Sequence, residues 1–307
     1  MFSLISKVAV SASLSHISNS ANFINNAAKM SQVSYETLSV TVPKEFVYHV
    51  ELSRPDKINA MNNTMWMEIK KCFETLNTDE NCRAIVLSAA GKIFTCGLDF
   101  QQVMQVGPQL AQMSDIARKA KILYQFVTNY QNSVSSLELC RKPVLAAVHS
   151  ACIGGGFNLI TAADMRYCTK DAFFQLKEVD IGMAADVGAL QRLPKVVGSD
   201  SLVRELAYTA RKMPASEALS SGLVSKVFDD KDGMIEGVVG IAAEIASKSP
   251  VAVQGTKFNL VYSRDHTVQE GLDHIAMWNQ TMMQSEDFTT ATVAQATKQK
   301  NVVFEKL

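Results

Sequence analysis

The stretch V-L-A-A-V-H-S-A-C-I-G-G-G-F-N-L-I-T-A-A, residues 144–163, constrains this chain more than any other. Its first ten residues are apolar or small and uncharged, and they are expected as one buried strand; the residues after the glycines have a composition that permits a helix. Gly154, Gly155 and Gly156 lie between the two. A strand-to-helix turn without side chains lets the backbone approach a ligand closely. Its N–H groups then sit at a helix N-terminus, where the dipole favours negative charge. Downstream, K-E-V-D-I-G-M-A-A-D-V-G places Glu178, Asp180 and Asp186 among Val179, Ile181, Met183, Ala184 and Ala185. Burial disfavours the charged form of a carboxylate, which suits it to proton transfer near neutrality.

The chain has 307 residues, 47% of them apolar, enough to bury one substantial core. No apolar run is long enough to span a bilayer, so a soluble globular protein with no membrane span is expected. Thirty basic residues balance thirty acidic ones, which argues against nucleic acid or an anionic membrane as the main partner. The six cysteines form no C-x-x-C pair, which implies a reducing compartment without a disulfide framework. The five histidines are scattered without metal-ligand spacing, so no metal and no cofactor are expected.

Three regions follow from the pattern. Residues 1–35 form a targeting peptide or a disordered tail, because the segment is rich in Ser, Ala and Asn and has no acidic residue before Glu36. That resembles a mitochondrial presequence, although it lacks arginine; the C-terminal Glu305-Lys306-Leu307 resembles the peroxisomal S-K-L signal with a glutamate at its first position. Mitochondrion is ranked above peroxisome. Residues 36–230 form an α/β core. L-S-V-T-V and F-V-Y-H-V-E-L alternate as a β-hairpin around Pro43-Lys44-Glu45, and Met65, Ile69, Phe73 and Leu76 mark one face of a helix ending near Asp79. A-I-V-L-S-A is a buried strand, 101–140 is mostly helical, and R-Y-C and A-F-F-Q-L are short strands. Residues 231–307 are helical; beyond Leu190 only L-V-S-K-V-F is expected as a strand. Met277, Trp278, Met282 and Met283 suit either core packing or a subunit interface.

The order R-P-D-K-I-N-A-M-N, F-T-C-G-L-D-F, K-P-V-L-A-A-V, C-I-G-G-G-F-N-L, F-F-Q-L-K-E-V-D-I-G and S-S-G-L-V-S-K-V-F resembles the enoyl-CoA hydratase/isomerase (crotonase) superfamily from about Val47 to Phe228. Within it, K-E-V-D-I-G-M-A-A-D-V-G-A-L-Q-R-L-P-K-V-V-G is most similar to the 3,5-to-2,4-dienoyl-CoA isomerases, with Asp186 as the aspartate that sets them apart from hydratases. The resemblance implies a crotonase-like spiral of ββα units, followed by C-terminal helices that build a homotrimer or homohexamer. It implies an acyl-CoA thioester substrate. The backbone N–H groups of Leu98 and Gly155 would form an oxyanion hole. Lys57, Ala60 and Phe157 are the substrate-binding candidates, and the helix holding Lys257 is a further candidate for the nucleotide end.

The implied activity is isomerisation of a 3,5-dienoyl-CoA in fatty-acid β-oxidation, with proton removal at C2 and return at C6. The catalytic candidates are Glu178, Asp186 and Asn158: Glu178 near C2 as base, Asp186 near C6 as acid, Asp180 as a structural carboxylate. Considered singly, Glu178 is equally a helix cap or a partner of Lys177, and Asp186 a cap for a helix near Gly188. Asn158 departs from the family, where isomerases have aspartate and hydratases glutamate. Hydration needs two carboxylates on one water, so an amide argues against it. Either the isomerase has lost a third acid, or its pocket is retuned around an amide that donates to Glu178. An enoyl-CoA hydratase-like enzyme, or a weakly catalytic acyl-CoA-binding protein of this fold, are the alternatives.

Overall fold

A computed structural model describes residues 34–307; the expected targeting segment therefore lies outside the described residues except for its last two positions. Strands β1 (Leu38–Lys44) and β2 (Val47–Leu52) pair antiparallel as the expected hairpin, turning at Glu45 and Phe46, where Phe46 takes φ 63°. Helix α1 (Asn63–Thr78) starts at Asn62, whose side chain accepts from the Met65 N–H at 2.9 Å. Met65, Ile69, Phe73 and Leu76 are all buried, as a one-sided helix requires. There follow β3 (Ala84–Ala89), α2 (Phe100–Ala111), α3 (Ile116–Leu139), β4 (Val144–Val148), β5 (Ala151–Ile153), α4 (Gly155–Thr161), β6 (Met165–Thr169) and β7 (Phe173–Gln175). Helices α5 (Ala189–Val196) and α6 (Asp200–Thr209), strand β8 (Met213–Pro214), α7 (Ala215–Ser220) and β9 (Lys226–Phe228) complete the spiral. Helices α8 (Lys231–Ala246), α9 (Pro250–Ser263), α10 (Val268–Met282) and α11 (Glu286–Thr297) end the described chain.

The strands fall into a six-stranded sheet, β1-β2-β3-β4-β6-β9, and a three-stranded sheet, β5-β7-β8. From β2 onward the large sheet is parallel, so the chain must cross over between neighbours; every crossover carries a helix, and those after β4 and β6 also carry strands of the small sheet. Successive turns thus alternate between the two sheets: β4 then β5 then α4, β6 then β7 then α5. Side chains of the large sheet alternate in period two. Tyr48, Val50, Ile85, Leu87, Val144 and Ala146 pack with α1 and α3 in the main core; Val47, Ala84, Val86, Leu145 and Ala147 pack under α8. Burial on both faces explains why these strands read as unbroken apolar runs. Helix α8, beyond residue 230, closes the second face and so packs as part of the core layer.

Two expectations are corrected. Residues 144–153 are two strands, not one: Ser150 adopts φ 51°, and the chain leaves the large sheet at β4 to enter the small one at β5. Both halves are buried, so hydropathy runs through the break without a mark. Strand β8, only two residues long, is a second addition. Lys257 in α9 is also committed elsewhere than to a nucleotide. Its ammonium is buried, pairs with Asp164 Oδ2 at 2.7 Å, and donates to the Leu137 and Lys142 carbonyls at 3.0 Å each. Asp164 Oδ2 in turn accepts from the Val144 N–H, so this pair pins α9 to the start of the central strand. Lys257→Met removes one member of a largely buried pair and strands the other; it is expected to cost about 3 kcal/mol, read as a lower midpoint in urea unfolding.

Candidate active site

The glycine turn between β5 and α4 is sterically obligatory. Gly154 adopts φ 51° and ψ −117°, and its N–H donates to the Gln175 carbonyl at 2.9 Å, tying the turn to β7. A Cβ on Gly156 would lie 2.0 Å from Thr95 Cγ2, and one on Gly155 would lie 2.9 Å from the Trp66 ring. The loop carrying Leu98 lies directly against this turn. A Cβ on Gly97, itself at φ 93°, would sit 3.0 Å from the Ile153 carbonyl oxygen and 3.8 Å from Gly154 Cα. That loop is held from its other side by Met61, whose N–H donates to Gly97 O at 2.8 Å and whose carbonyl accepts from the Asp99 N–H at 3.1 Å. These bonds use the atoms flanking Leu98. The N–H groups of Leu98 and Gly155 have no backbone acceptor among the described residues. Two such donors in neighbouring loops, one at a helix N-terminus, are the components an oxyanion hole needs.

Glu178 opens a short 3₁₀ turn, Glu178–Ile181, directly after β7. Its carboxylate lies over the glycine turn, with Oε1 3.8 Å from where a Gly154 Cβ would be. Asn158, one turn into α4 and fully buried, donates from Nδ2 to Glu178 Oε1 at 2.7 Å and to the Gly154 carbonyl at 3.0 Å. Its Oδ1 accepts from the Ala189 N–H at 2.8 Å, which fixes the amide's orientation. Asn158 therefore ties together the glycine turn, Glu178 and the first residue of α5. Of the two single-residue alternatives for Glu178, pairing with Lys177 is not found: Lys177 binds Asp180 Oδ2 at 2.9 Å, which gives Asp180 a structural partner. Asp186 is no helix cap, because α5 starts at Gly188 without a side-chain cap. It is half-buried between buried Ala185 and Val187, and its backbone carbonyl accepts from Gln131 Nε2 at 2.7 Å.

Burial raises the proton affinity of both carboxyls. In Glu178 it outweighs the Asn158 hydrogen bond, and the Asp186 charge adds to the rise. Glu178 Oε2 is buried without a hydrogen-bond partner. The arrangement can stabilise a developing oxyanion and exchange protons from two carboxyls within electrostatic reach of each other.

The loop after β2 turns out differently from its expected residues. Lys57 is exposed on the short helix Pro55–Lys57, and Ala60 is partly buried beside it. What shapes the loop is Asn59, buried at φ 52°, which accepts from the Arg54 N–H at 2.8 Å and donates to the Ala90 and Ile93 carbonyls at 2.7 and 3.0 Å. Arg54 donates to the Ala60 carbonyl and pairs with Asp99 at 2.9 Å, joining this loop to the Leu98 loop. Both residues stand in motifs the sequence singles out, but their partners are distant in the chain. Phe157 is corrected: it is fully buried, with its ring 5.6 Å from that of Phe174, and belongs to the core.

The raised proton affinity of Glu178 has a thermodynamic signature. A carboxyl whose folded-state pKa is raised favours folding while protonated and loses that contribution as pH rises through its folded value. Glu178→Gln keeps an acceptor for Asn158 and cannot ionise. It is expected to gain in Tm relative to the parent as pH rises to around 8, with the gain shrinking toward the ordinary glutamate range of about 4.3. Calorimetric scans across that range check it; a gain that grows on acidification would contradict the assignment.

Comparison with known proteins agrees with this geometry. The family model for enoyl-CoA hydratase/isomerase matches residues 43–305. The chain is 51% identical over 301 residues to a Mus musculus protein named Delta(3,5)-Delta(2,4)-dienoyl-CoA isomerase, mitochondrial, covering 96% of this chain and 91% of that one. It is 43% identical over 273 residues to an Arabidopsis thaliana protein named as the peroxisomal form of that isomerase, covering 88% and 98%. Among solved structures, an enoyl-CoA hydratase from Bacillus anthracis superposes with a TM-score of 0.78 at 25% identity, covering 88% of this chain and 99% of that one. A strand-to-helix glycine turn, its facing N–H donors and this extent of similarity together place the chain in the enoyl-CoA hydratase/isomerase family.

Proposed function

We propose that this protein isomerises 3,5-dienoyl-CoA to 2,4-dienoyl-CoA in fatty-acid β-oxidation, without a cofactor. The observation that carries the reading is that Glu178 has an amide, Asn158, as its near neighbour, and a second carboxyl, Asp186, within electrostatic reach. Hydration would need two carboxylates gripping one water. Moving a conjugated diene instead needs one group at C2 and another at C6. Glu178 takes the C2 proton on Oε2, the oxygen without a partner. The resulting charge spreads to the thioester oxygen, which accepts from the Leu98 and Gly155 N–H groups, each worth on the order of 10²–10³ in rate at comparable sites. Asp186, whose proton affinity burial raises, returns a proton at C6, and the double bonds move to 2,4. Lys57 and the backbone near Ala60 are proposed to hold the CoA end.

The names of the mitochondrial relatives and the composition of residues 1–35 support a mitochondrial location, with the peroxisome as the alternative. We further propose that residues 36–230, closed by α8, form the enzymatic core and that the helices beyond α8 assemble a homotrimer or homohexamer. Leu260, Leu272, Met277 and Met283 are exposed there, whereas Trp278 packs within its own chain on Phe258. Such apolar exposure fits burial against further copies of the chain.

The direct test is turnover of a 3,5-dienoyl-CoA by the purified protein, set against hydration of a 2-enoyl-CoA. Isomerisation is expected to dominate; hydration alone, or acyl-CoA binding without turnover, would refute the reading. Asp186→Asn is expected to lower kcat at least about a hundredfold with acyl-CoA affinity nearly unchanged. For Asn158→Asp, a carboxylate would face two acceptors, Glu178 Oε1 and Gly154 O, where the amide now donates. It would hold a proton jointly with Glu178 and make that base harder to ionise. The acid limb of kcat against pH is therefore expected to move upward and activity at neutral pH to fall; a faster variant would show that the amide is a lost acid.

A further inference from the structure

We propose that Asp186 is reloaded with its proton from solvent through a polar cavity that it lines, so that the hydrogen delivered to C6 is not the one removed from C2. This rests on the isomerase reading. Each turnover leaves Glu178 with one proton more and Asp186 with one fewer, and the enzyme must reset both. Direct return from Glu178 to Asp186 has no path among the described contacts. Glu178 Oε2, which takes the proton, has no hydrogen-bond partner among the described residues, and no hydrogen bond there joins the two carboxyls.

Asp186, by contrast, lines an open cavity of about 370 Å³ between α3, the loop before α5, α5 and the end of α9. That is many times the ~30 Å³ a water occupies in the liquid, and the walls offer the polar partners ordered water needs. Gln131, whose amide binds the Asp186 carbonyl, and Gln191 are exposed at its edge, so the cavity meets solvent. Ion pairs hold the walls in place rather than filling the space. Arg192 donates to Ser135 Oγ at 3.0 Å and to Glu138 Oε2 at 2.9 Å; Arg264 binds the other Glu138 oxygen, and Lys195 binds Asp265. Around the cavity, three cations face Glu138 and Asp265. The proton balance closes: C2 gives its proton to Glu178, Asp186 gives its own to C6, Glu178 later releases to solvent, and solvent reprotonates Asp186.

The test is repeated turnover of 3,5-dienoyl-CoA, many substrate molecules per enzyme, by the full-length protein in D₂O, with the product's C6 read by NMR, and the converse with C2-deuterated substrate in H₂O. One solvent deuterium at C6 in nearly every product molecule, and none from C2, is expected. Product whose C6 carries the C2 label would overturn the solvent route while leaving the isomerase reading intact; no product from either experiment refutes both. The cavity itself is tested by Gln191→Leu, at an exposed position, and Ser135→Leu. Each is expected to lower kcat roughly tenfold, part of the ~10²–10⁴ a positioned general acid contributes, with KM unchanged and a larger solvent isotope effect on kcat. Parental kcat and isotope effect in both variants would overturn the cavity as the route.

Discussion

The hydrogen bonds of one buried amide hold this site together. Asn158 spends both of its donors and one acceptor on three separate segments: the carbonyl of Gly154, the carboxylate of Glu178 and the N–H that begins α5. A buried polar group left unmatched would cost about 1–3 kcal/mol, so full satisfaction is what makes an amide tolerable at the centre of the core. Its consequence is geometric. The glycine turn, the base and the segment leading from Asp186 cannot move independently, because each is bonded to the same side chain.

In the proposed mechanism backbone N–H groups take the substrate's charge, and glycine makes that backbone available. Gly97 and Gly154 adopt positive φ, and a Cβ on Gly97 would press to 3.0 Å on the Ile153 carbonyl oxygen. The Arg54–Asp99 pair and the Met61 bonds brace the loop, and the Leu98 N–H has no backbone acceptor among the described residues. Preorganised donors of this kind need no reorientation when charge develops, which is the source of their catalytic value. The family likeness to both hydratases and isomerases follows from this shared frame; the difference lies in which side chains stand around it.

Stability and chemistry pull against each other at Glu178. Its Oε2 is buried without a partner, a strained condition in a ground state and a useful one for a base that must accept a proton there. The surrounding structure offsets this with an extensively buried core on both faces of the large sheet and with the Lys257–Asp164 pair that locks α9 to the central strand.

The sequence alone determined most of the order of elements and marked the candidate positions for chemistry. Period-two and period-three-to-four apolar spacing marks β1, β2 and α1; the triple glycine marks the turn; carboxylates in apolar surroundings mark Glu178 and Asp186. These are local signals, set by residues close in the chain. What only the tertiary structure decided depends on partners far apart in it. Nothing local to V-L-A-A-V-H-S-A-C-I shows that Ser150 flips the chain from one sheet to the other, because both halves are equally buried. Nor does R-P-D-K-I-N-A reveal that Asn59 and Arg54, rather than Lys57, shape the loop, since their acceptors lie up to 45 positions away. Phe157 reads as a ligand contact beside the glycines until the helix turns its ring onto Phe174. The partners of Asn158 were hidden for the same reason: only the fold brings Glu178 and the Ala189 N–H around the amide, where it donates to one and accepts from the other.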